Sequence, residues 1–533
     1  MPRIIAALRA QPYLVLLAFC AALLLAGVDR YSLRGSTEPR EAGVAAAMVQ
    51  DHQYIVPRLN EEPFLEKPPL SYWLQAAAMR GLGFTPLAAR LPSIGAAIAC
   101  VWLMFFSIRR LFGSDRYAWL GSLALLTMAS FWMNARIAGQ DILLTLGIEL
   151  ALFGFAFART ILAPRWAWPM YTAGIAIATF TKGVVGLAVP GIAIFVFLLL
   201  DTFWIERRFA LRAWLLPAVF ALLGLLPLAL WLYALDTHAG ADAVRDILWS
   251  NSINRFAGDY QYGSHSEPFY YYLKKLPETF APWNLLLLWA LWRTRHGLQH
   301  DWRFVFGLCW LLAPYVLLSL SAGKRPSYLL MLYPAAAFLI ALCIERWRTV
   351  AVVSEGRALA LIYTVLLSAG VIFVAVYCWR VQAHAAAIAI ALVSLGLLVA
   401  LWRARRQHDT PRLVATGVML LAVLYIGYGA DALPREQRQD SLEDVFAHLH
   451  EYEQNGHTLF LYAPIERIAG ATRFYLQHAV PTADSPAQLL DMLQRDANAI
   501  ALVGESDLAT LQGYRVLDRF LDQKRKYVVI AAQ

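Results

Sequence analysis

Residues 168–200 of this chain read WPMYTAGIAIATFTKGVVGLAVPGIAIFVFLLL. The two apolar runs in this stretch, near 168–181 and 184–200, each predict a helix that crosses the hydrocarbon core of a bilayer. The residues between them, Thr181-Lys182-Gly183, leave room only for a tight turn that carries one cation. The stretch therefore predicts two consecutive membrane-spanning helices that meet at a lipid–water boundary.

Runs of this kind recur along most of the chain. Hydrophobic residues make up 59% of the sequence and charged residues 16%, which is too apolar for a soluble protein of 533 residues. The pattern predicts an α-helical polytopic membrane protein with about thirteen transmembrane helices. The other predicted spans lie near 12–28, 92–108, 117–133, 142–158, 213–234, 280–292, 304–320, 328–344, 358–378, 385–402 and 413–430.

The loops between these spans alternate in arginine content. Because cytoplasmic loops are enriched in Lys and Arg, the alternation predicts a cytoplasmic N-terminus and a C-terminus on the opposite, outer side. It also accounts for the net charge of +9, and no basic domain or recognition motif supports nucleic-acid binding. The arginine-rich loops are Arg109–Arg116, Arg159–Arg165, Ile205–Arg212, Arg293–Arg303, Glu345–Arg357 and Arg403–Arg412.

The transmembrane region is predicted to cover residues 1–430. Its first run, 12–28, is long for a signal peptide and lacks a small-residue cleavage site, so it is interpreted as an uncleaved first span. All the cysteines lie in apolar runs without metal or disulfide spacing, and they are interpreted as small core hydrophobes. These cysteines are Cys20, Cys100, Cys309, Cys343 and Cys378.

Three segments are predicted to lie outside the bilayer. The outer loops Asp29–Leu91 and Asp236–Pro282 are long, and residues 41–50 and 70–80 of the first loop predict amphipathic helices in the interface. Residues 431–533 carry more Asp, Glu and Gln, and their short apolar segments predict a small α/β domain. Its predicted strands are His457–Ala463, Ala499–Gly504 and Tyr527–Ala532, and its predicted helices are Ser441–Gln454 and Ser485–Asp496.

Charged residues gather at the outer ends of the spans, where ionisable groups are costly unless they are paired or used. After the first span, Glu38 lies two residues before Arg40. Glu38 could therefore act as a general base that Arg40 keeps ionised. The alternative interpretation is an ordinary solvated turn at the start of a helix. Further on, prolines stiffen the chain around Glu66 and Lys67, and Tyr72 follows. Lysine suits a phosphate oxygen and tyrosine suits the interface, with a surface ion pair and aromatic anchor as the alternative.

Later segments add further candidates at the same boundary. Asp141 suits either a helix N-cap or a group that holds a substrate hydroxyl. Lys182, Lys324 and Arg325 oppose the usual inward bias of cations, which favours an anionic headgroup such as a phosphate, although snorkelling to the interface is the alternative for any one of them. His265 suits a metal ion or a phosphate, or a packed position in a loop.

In chain order, these segments resemble the lipid A aminoarabinose transferases, which belong with the protein O-mannosyltransferase superfamily. The resemblance runs from residue 10 to about residue 345, and it is the combination of motifs that is specific. The motifs are Glu38-x-Arg40, Val56-Pro57-Arg58-Leu59-Asn60, Glu66-Lys67-Pro68-Pro69, Tyr72-Trp73, Ala135-Arg136 with Asp141, Thr181-Lys182-Gly183, His265 with Pro268-x-Tyr270-Tyr271, Pro282-Trp283 and Lys324-x-Pro326-x-Tyr328 with Pro334.

The resemblance implies the class C membrane glycosyltransferase (GT-C) fold in a bacterial inner membrane, with a periplasmic site and a periplasmic C-terminus. It implies a sugar donor linked to undecaprenyl phosphate, 4-amino-4-deoxy-L-arabinose or a related sugar, and inversion without a covalent intermediate. The implied acceptor is lipid A or another glycolipid or glycan. No cofactor is certain, and relatives differ in whether they use a divalent metal.

The resemblance also assigns roles. Glu38, Asp141 and Glu66 are the implied catalytic carboxylates, and Arg40 with Lys67 would hold the departing phosphate. Relatives carry Asp-Glu-x-Arg in the first loop, and the position of that Asp is Thr37 here. Either Glu38 replaces it, or the acceptor needs less activation, as an already ionised phosphate oxygen would. The other implied substrate-binding residues are Tyr72, Lys182, His265, Tyr270, Lys324, Arg325 and Tyr328.

Other functions fit parts of the pattern. A protein O-glycosyltransferase with the same kind of donor belongs to the same superfamily. A transporter or flippase also places charges at helix ends, but usually near the midplane and with internal repeats, which are not visible here. A structural or receptor protein would leave the charges of the outer loops unexplained.

Overall fold

The structure of the protein is a computed structural model. It describes residues 11–160, 163–254, 267–298, 301–347, 353–438, 441–522 and 525–533. Within these ranges the chain forms a bundle of helices followed by a small α/β unit.

The first half of the chain is almost entirely helical. A short antiparallel ribbon, β1 (Arg58–Leu59) and β2 (Glu62–Pro63), interrupts the helices once. The helices are α1 (Pro12–Leu25), α2 (Thr37–Gln50), α3 (Leu70–Leu82), α4 (Pro86–Phe112), α5 (Asp115–Thr127), α6 (Ala129–Ala135), α7 (Asp141–Ala158), α8 (Ala167–Lys182), α9 (Val184–Leu200), α10 (Leu211–Gly224), α11 (Leu226–Ala239) and α12 (Ala241–Arg245), with π-helical turns at Asp201–Ile205 and Asp246–Asn254.

The second half completes the bundle and adds the α/β unit. Its bundle helices are α13 (Tyr271–Lys275), α14 (Asn284–Leu298), α15 (Trp302–Leu320), α16 (Tyr333–Trp347, after a 3-10 turn at Pro326–Leu332), α17 (Val353–Arg380), α18 (His384–Arg406), α19 (Thr410–Gly427, continued by a π-helical turn at Tyr428–Ala432) and α20 (Leu433–Arg438). The unit comprises α21 (Leu442–Gln454), β3 (Thr458–Tyr462), α22 (Glu466–Tyr475), β4 (Thr482–Ala483), α23 (Pro486–Arg495), β5 (Ala499–Gly504), a 3-10 turn at Glu505–Thr510, β6 (Tyr514–Asp522) and β7 (Arg525–Ala532).

A helix lies over each predicted span. Among the described residues, nine helical stretches are long and apolar enough to cross a membrane, and α1 is a shorter apolar helix. Two predicted spans are each divided between two helices, at Met128 between α5 and α6 and at Leu225 between α10 and α11. The polytopic α-helical class is therefore confirmed, and the number of spans stays a prediction.

Helices α7 and α8 pack antiparallel at very short range. A Cβ atom on Gly147 would lie 2.6 Å from the amide nitrogen of Ala178, and one on Gly174 would lie 2.2 Å from that of Ala151. Only glycine permits backbones to approach this closely. The contact holds the first residue of α7, Asp141, beside the last residue of α8, Lys182.

Helix α2 is buried in a way that the sequence did not indicate. Its apolar residues predicted an amphipathic helix in the interface, but residues 38–48 are all buried. One face packs against α22 of the C-terminal unit, where a Cβ atom on Gly43 would lie 2.3 Å from the carbonyl oxygen of Gly470. The reason for the difference is tertiary: the C-terminal unit covers the face that the sequence alone assigned to the lipid surface.

The C-terminal unit has a sheet with the strand order β4-β3-β5-β7-β6. Strands β3, β4 and β5 are parallel, and β7 is antiparallel to β5 and β6. Helix α22 packs on one face of the sheet and α23 on the other. The predicted small α/β domain is confirmed, whereas its predicted boundary after residue 430 stays a prediction, because the helical chain continues to Arg438.

The α2–α22 crossing makes a stability prediction. We expect Gly43→Ala to destabilise the protein by about 1–3 kcal/mol, because the added methyl group overlaps the backbone of α22. The measurement is thermal unfolding of the detergent-solubilised protein. Gly81→Ala in α3 is the matched control, because nothing lies within 4 Å of a Cβ atom there. Equal unfolding temperatures for the two variants would contradict the crossing.

Candidate active site

A cavity of about 1040 Å³ opens where the start of α7, the end of α8 and the first turns of α2 meet. On its wall, among the described residues, cations outnumber carboxylates. The cations are Arg34, Arg40, Lys67, Lys182, Lys324 and Arg325, and the carboxylates are Glu41, Glu66, Asp141 and Glu267. The apolar part of the wall includes Val184, Val185, Ala188, Val189, Leu317 and Leu318.

Glu41 is the most deeply buried charge on this wall. Its Oε1 accepts a hydrogen bond of 2.9 Å from Arg40 Nη2 and one of 3.3 Å from Lys67 Nζ. Its Oε2 accepts one of 2.7 Å from Gln140 Nε2. Burial by itself would raise the pKa of Glu41, but the charges of Lys67 and Arg40 hold that pKa below its ordinary value. The carboxylate therefore stays ionised and fixes both cations.

Two further carboxylates complete this cluster. Glu66 Oε2 lies 3.7 Å from Arg40 Nη1 and 3.8 Å from Lys67 Nζ. Glu466, on the first turn of α22, lies 3.0 Å from Arg40 Nη1. The C-terminal unit thus contributes directly to the position of Arg40. We call Arg40, Glu41, Glu66, Lys67 and Glu466 the ion cluster.

A second ion pair faces the same cavity. Lys182 Nζ donates a hydrogen bond of 2.5 Å to Asp141 Oδ1. The ammonium also lies 4.4 Å from the centre of the Tyr328 ring, a cation–π distance. The antiparallel packing of α7 and α8 brings this pair together. The Asp141 side chain keeps 27% of its surface exposed, so it is accessible from the cavity.

Lys324 and Arg325 line the cavity from the chain between α15 and α16. Lys324 is buried, and its Nζ donates hydrogen bonds to the backbone oxygens of Glu267, at 2.7 Å, and of Ser321. Backbone carbonyls carry no net charge, so the positive charge of Lys324 is not cancelled by these contacts.

Glu38 does not face the cavity. It is fully buried, and its oxygens accept hydrogen bonds of 2.8 Å from Arg90 Nε and Nη2. They also accept bonds from the backbone amides of Arg34 and Ala138, at 2.7 and 2.8 Å. This placement corrects the expectation that Glu38 activates an acceptor, because both of its oxygens are occupied inside the protein.

Two other predicted residues, Tyr72 and Tyr270, also lie away from the cavity wall. Tyr72 is fully buried near Glu41 and does not line the cavity, and burial raises the pKa of its hydroxyl well above the ordinary value. Tyr270 is 42% exposed and lies under the Lys274 ammonium. The neighbouring Tyr271 lines the cavity instead. His265 lies outside the described residues.

The residues of the site that were not assigned a role from the sequence include Glu41, Gln140 and Glu466. A helical signal for Glu41 exists: Thr37, Arg40 and Glu41 are spaced i, i+3 and i+4, so they share one face of α2, and all three line the cavity. No comparable signal marks Gln140, which reaches Glu41 only through the tertiary fold.

Metal coordination is not indicated in the part of the chain that the structure describes. No three His, Cys, Asp or Glu side chains converge there as a metal ion would require. No residue is therefore assigned to a metal.

The buried Glu38–Arg90 pair makes a second prediction. We expect Glu38→Gln to lower the free energy of unfolding by about 3 kcal/mol, because it leaves the Arg90 charge buried without its counterion. Chemical or thermal unfolding in detergent measures this, and Glu62→Gln, at an exposed position, is the matched control. A Glu38→Gln protein of unchanged stability but greatly reduced activity would instead support a catalytic Glu38.

Parts of the chain are similar in sequence to known sugar transferases. The family described as dolichyl-phosphate-mannose-protein mannosyltransferase matches residues 66–231. The undecaprenyl phosphate-alpha-4-amino-4-deoxy-L-arabinose arabinosyl transferase of Pectobacterium carotovorum is 29% identical over 334 residues, which are 61% of this chain and 58% of the relative. The protein of the same name from Edwardsiella ictaluri is 30% identical over 315 residues, 58% of this chain and 55% of the relative. The matches thus span somewhat more than half the length of these relatives.

The fold comparison extends over nearly the whole chain. The crystal structure of ArnT from Cupriavidus metallidurans bound to undecaprenyl phosphate superposes with a TM-score of 0.77, covers 98% of both chains and is 18% identical. Its apo structure matches equally well. The resemblance found in the sequence motifs is confirmed: the chain is similar in sequence to the aminoarabinose transferases over part of its length, and it has the GT-C fold of a multi-pass membrane protein.

Proposed function

We propose that this protein is an integral membrane glycosyltransferase that moves a sugar from a polyprenyl-phosphate donor to a lipid or glycan acceptor, with inversion at the sugar carbon. The observation that carries the proposal is that one cavity holds both an excess of cations and an apolar wall. A lipid-linked sugar phosphate has these two parts. The names of the curated relatives support undecaprenyl phosphate as the lipid and an aminoarabinose as the sugar.

The donor phosphate is proposed to bind at Arg40 and Lys67. When the bond between sugar and phosphate breaks, negative charge develops on the leaving phosphate, and preorganised cations stabilise it. Glu41 holds both cations in place before the donor arrives, which removes the cost of ordering two long side chains. Because Glu41 acts through Arg40 and Lys67, it is a positioning residue.

The hydrocarbon tail is proposed to lie along the apolar wall between α9 and α15, at Val184, Val185 and Leu318. Burial of apolar surface there binds the tail without specific contacts. Undecaprenyl phosphate is bound to ArnT in the Cupriavidus metallidurans crystal structure, whose fold this chain shares. For this chain, the same ligand is part of the proposal.

Asp141 is proposed to orient the acceptor on the far side of the sugar. Its partner Lys182 keeps it ionised, and its exposed edge can accept a hydrogen bond from an attacking hydroxyl. A single displacement from that side inverts the sugar carbon and needs no covalent intermediate. Thr37 stands where relatives carry an Asp, and a threonine cannot act as a general base. A phosphate oxygen is already ionised and needs no base, so it is the acceptor atom that best suits this site.

The remaining assignments are part of the same proposal. Glu66 is proposed to contact the sugar beside the ion cluster, while Lys182, Lys324, Arg325 and Tyr328 would complete the polar wall. The proposed location is the bacterial inner membrane, with the N-terminus cytoplasmic and the C-terminal unit and the site periplasmic. The family match to a protein mannosyltransferase keeps a protein acceptor as the second candidate.

The donor site makes a direct prediction. We expect Lys67→Ala to reduce sugar transfer by about 100-fold or more, because it removes a cation that stabilises the leaving phosphate. Mass spectrometry of lipid A and of surface glycans, from cells with the wild-type protein, the variant or neither, measures the product and identifies the acceptor. Lys275→Ala is the matched control, since that lysine forms an exposed pair with Glu278. Wild-type transfer by a folded Lys67→Ala protein would contradict the donor site.

A further inference from the structure

Glu466 brings a carboxylate of the C-terminal unit to the proposed phosphate site. It lies in the first turn of α22, and its carboxylate accepts a hydrogen bond of 3.0 Å from Arg40 Nη1. The other terminal nitrogen of the same guanidinium, Nη2, donates to Glu41 at 2.9 Å. A phosphate oxygen that approaches Arg40 Nη1 therefore meets a carboxylate that is already bonded there.

The charges of the ion cluster make this contact unfavourable for an incoming anion. Cations exceed carboxylates over the cavity wall as a whole, but the ion cluster itself carries one more carboxylate than cations. Its cations are Arg40 and Lys67, and its carboxylates are Glu41, Glu66 and Glu466. Like charges a few Å apart repel strongly in a poorly solvated site. A phosphate therefore binds more favourably if one carboxylate leaves.

Glu466 is the carboxylate that can leave at the least cost. Glu41 is fully buried and accepts hydrogen bonds from three side chains. The Glu66 side chain is 11% exposed and lies between both cations of the cluster. The Glu466 side chain, in contrast, is 50% exposed, so it can turn into water without leaving a buried charge behind. An ion pair with so exposed a partner contributes little to stability.

Arg40 has other supports that do not involve Glu466. Its hydrogen bond to the buried Glu41 fixes one end of the guanidinium. The guanidinium also lies 5.6 Å from the centre of the Phe64 ring, a cation–π distance. The cation is therefore held for a phosphate even when Glu466 has moved away.

We propose that Glu466 is an exchangeable counterion of the donor site. The donor phosphate displaces it from Arg40, and it returns to Arg40 when the lipid phosphate product leaves. This inference rests on the proposed function, because it takes Arg40 and Lys67 as the phosphate site. It adds a role for the C-terminal unit, which supplies a carboxylate that competes with the substrate.

The return of Glu466 matters most after sugar transfer. When the bond between the sugar carbon and the phosphate oxygen breaks, its electron pair stays on that oxygen, and the acceptor oxygen forms the new bond to the sugar carbon. The polyprenyl phosphate product therefore carries one more negative charge than the donor, and two fixed cations hold it more tightly. A carboxylate that competes for Arg40 weakens this hold and favours product release.

The test is the binding of farnesyl phosphate, a short polyprenyl phosphate, to the full-length protein in lipid nanodiscs by isothermal titration calorimetry. We expect Glu466→Gln to tighten binding about fivefold, the effect of removing one competing exposed ion pair. If Glu466 served only to position Arg40, the same variant would weaken binding. Farnesol, which lacks the phosphate, should bind the variant and the wild type alike. In a transfer assay, Glu466→Gln should show stronger inhibition by the polyprenyl phosphate product.

Glu505→Gln is the matched control. It removes the same charge from the same unit, and Glu505 also pairs with an arginine, Arg519, but away from the cavity wall. We expect it to bind farnesyl phosphate as the wild type does. Equal tightening in Glu505→Gln and Glu466→Gln would show a general effect of charge and would overturn the exchange.

Lys67→Ala separates this inference from the proposed function. Weaker binding in Lys67→Ala, together with unchanged or weaker binding in Glu466→Gln, would overturn the exchange and leave the donor site intact. Unchanged binding of farnesyl phosphate in Lys67→Ala would instead overturn the donor site, and the exchange with it. Weaker binding in Lys67→Ala and tighter binding in Glu466→Gln alone support both.

Discussion

The buried carboxylate of Glu41, bonded to Arg40, Lys67 and Gln140, is the interaction on which the site depends. A charge at that depth is tolerated only with partners, so the helices that carry those partners must meet around it. Three separate segments satisfy this need: α2, the proline-stiffened chain before α3, and the turn before α7. The same arrangement leaves two cations fixed at the edge of a cavity, which is the preorganisation that transfer from a lipid phosphate requires.

The rest of the fold supports this cluster from two sides. The glycine contacts between α7 and α8 bring Asp141 and Lys182 together at the same cavity, and the close Gly43–Gly470 crossing packs the C-terminal unit against α2. Arg473 of that unit extends the contact by hydrogen bonds to the side chains of Gln50 and Asp51. The C-terminal unit is therefore part of the architecture of the site, since Glu466 reaches Arg40 itself.

The helical membrane region and the small α/β unit could be predicted from the sequence, because membrane spans and short buried strands have recognisable hydrophobic patterns. The positions of Arg40, Lys67, Asp141 and Lys182 at the outer ends of the predicted spans indicated that all four lie at one lipid–water boundary. The sequence did not show which side chains at this boundary face the cavity. Glu38 and Glu41 are three residues apart, yet Glu38 is buried in an ion pair with Arg90 and Glu41 lines the cavity. That choice depends on the rotation of α2, which its packing against α22 fixes through contacts more than 400 residues apart in the sequence.

The most direct test is an experimental structure of the protein with a polyprenyl phosphate bound. We expect a phosphate within about 3 Å of Lys67 Nζ and an Arg40 guanidinium nitrogen, with the lipid tail along Val184 and Leu318. Glu41 should keep its contacts with both cations. A phosphate bound away from Arg40 and Lys67, or a tail that avoids the apolar wall, would contradict the proposed donor site.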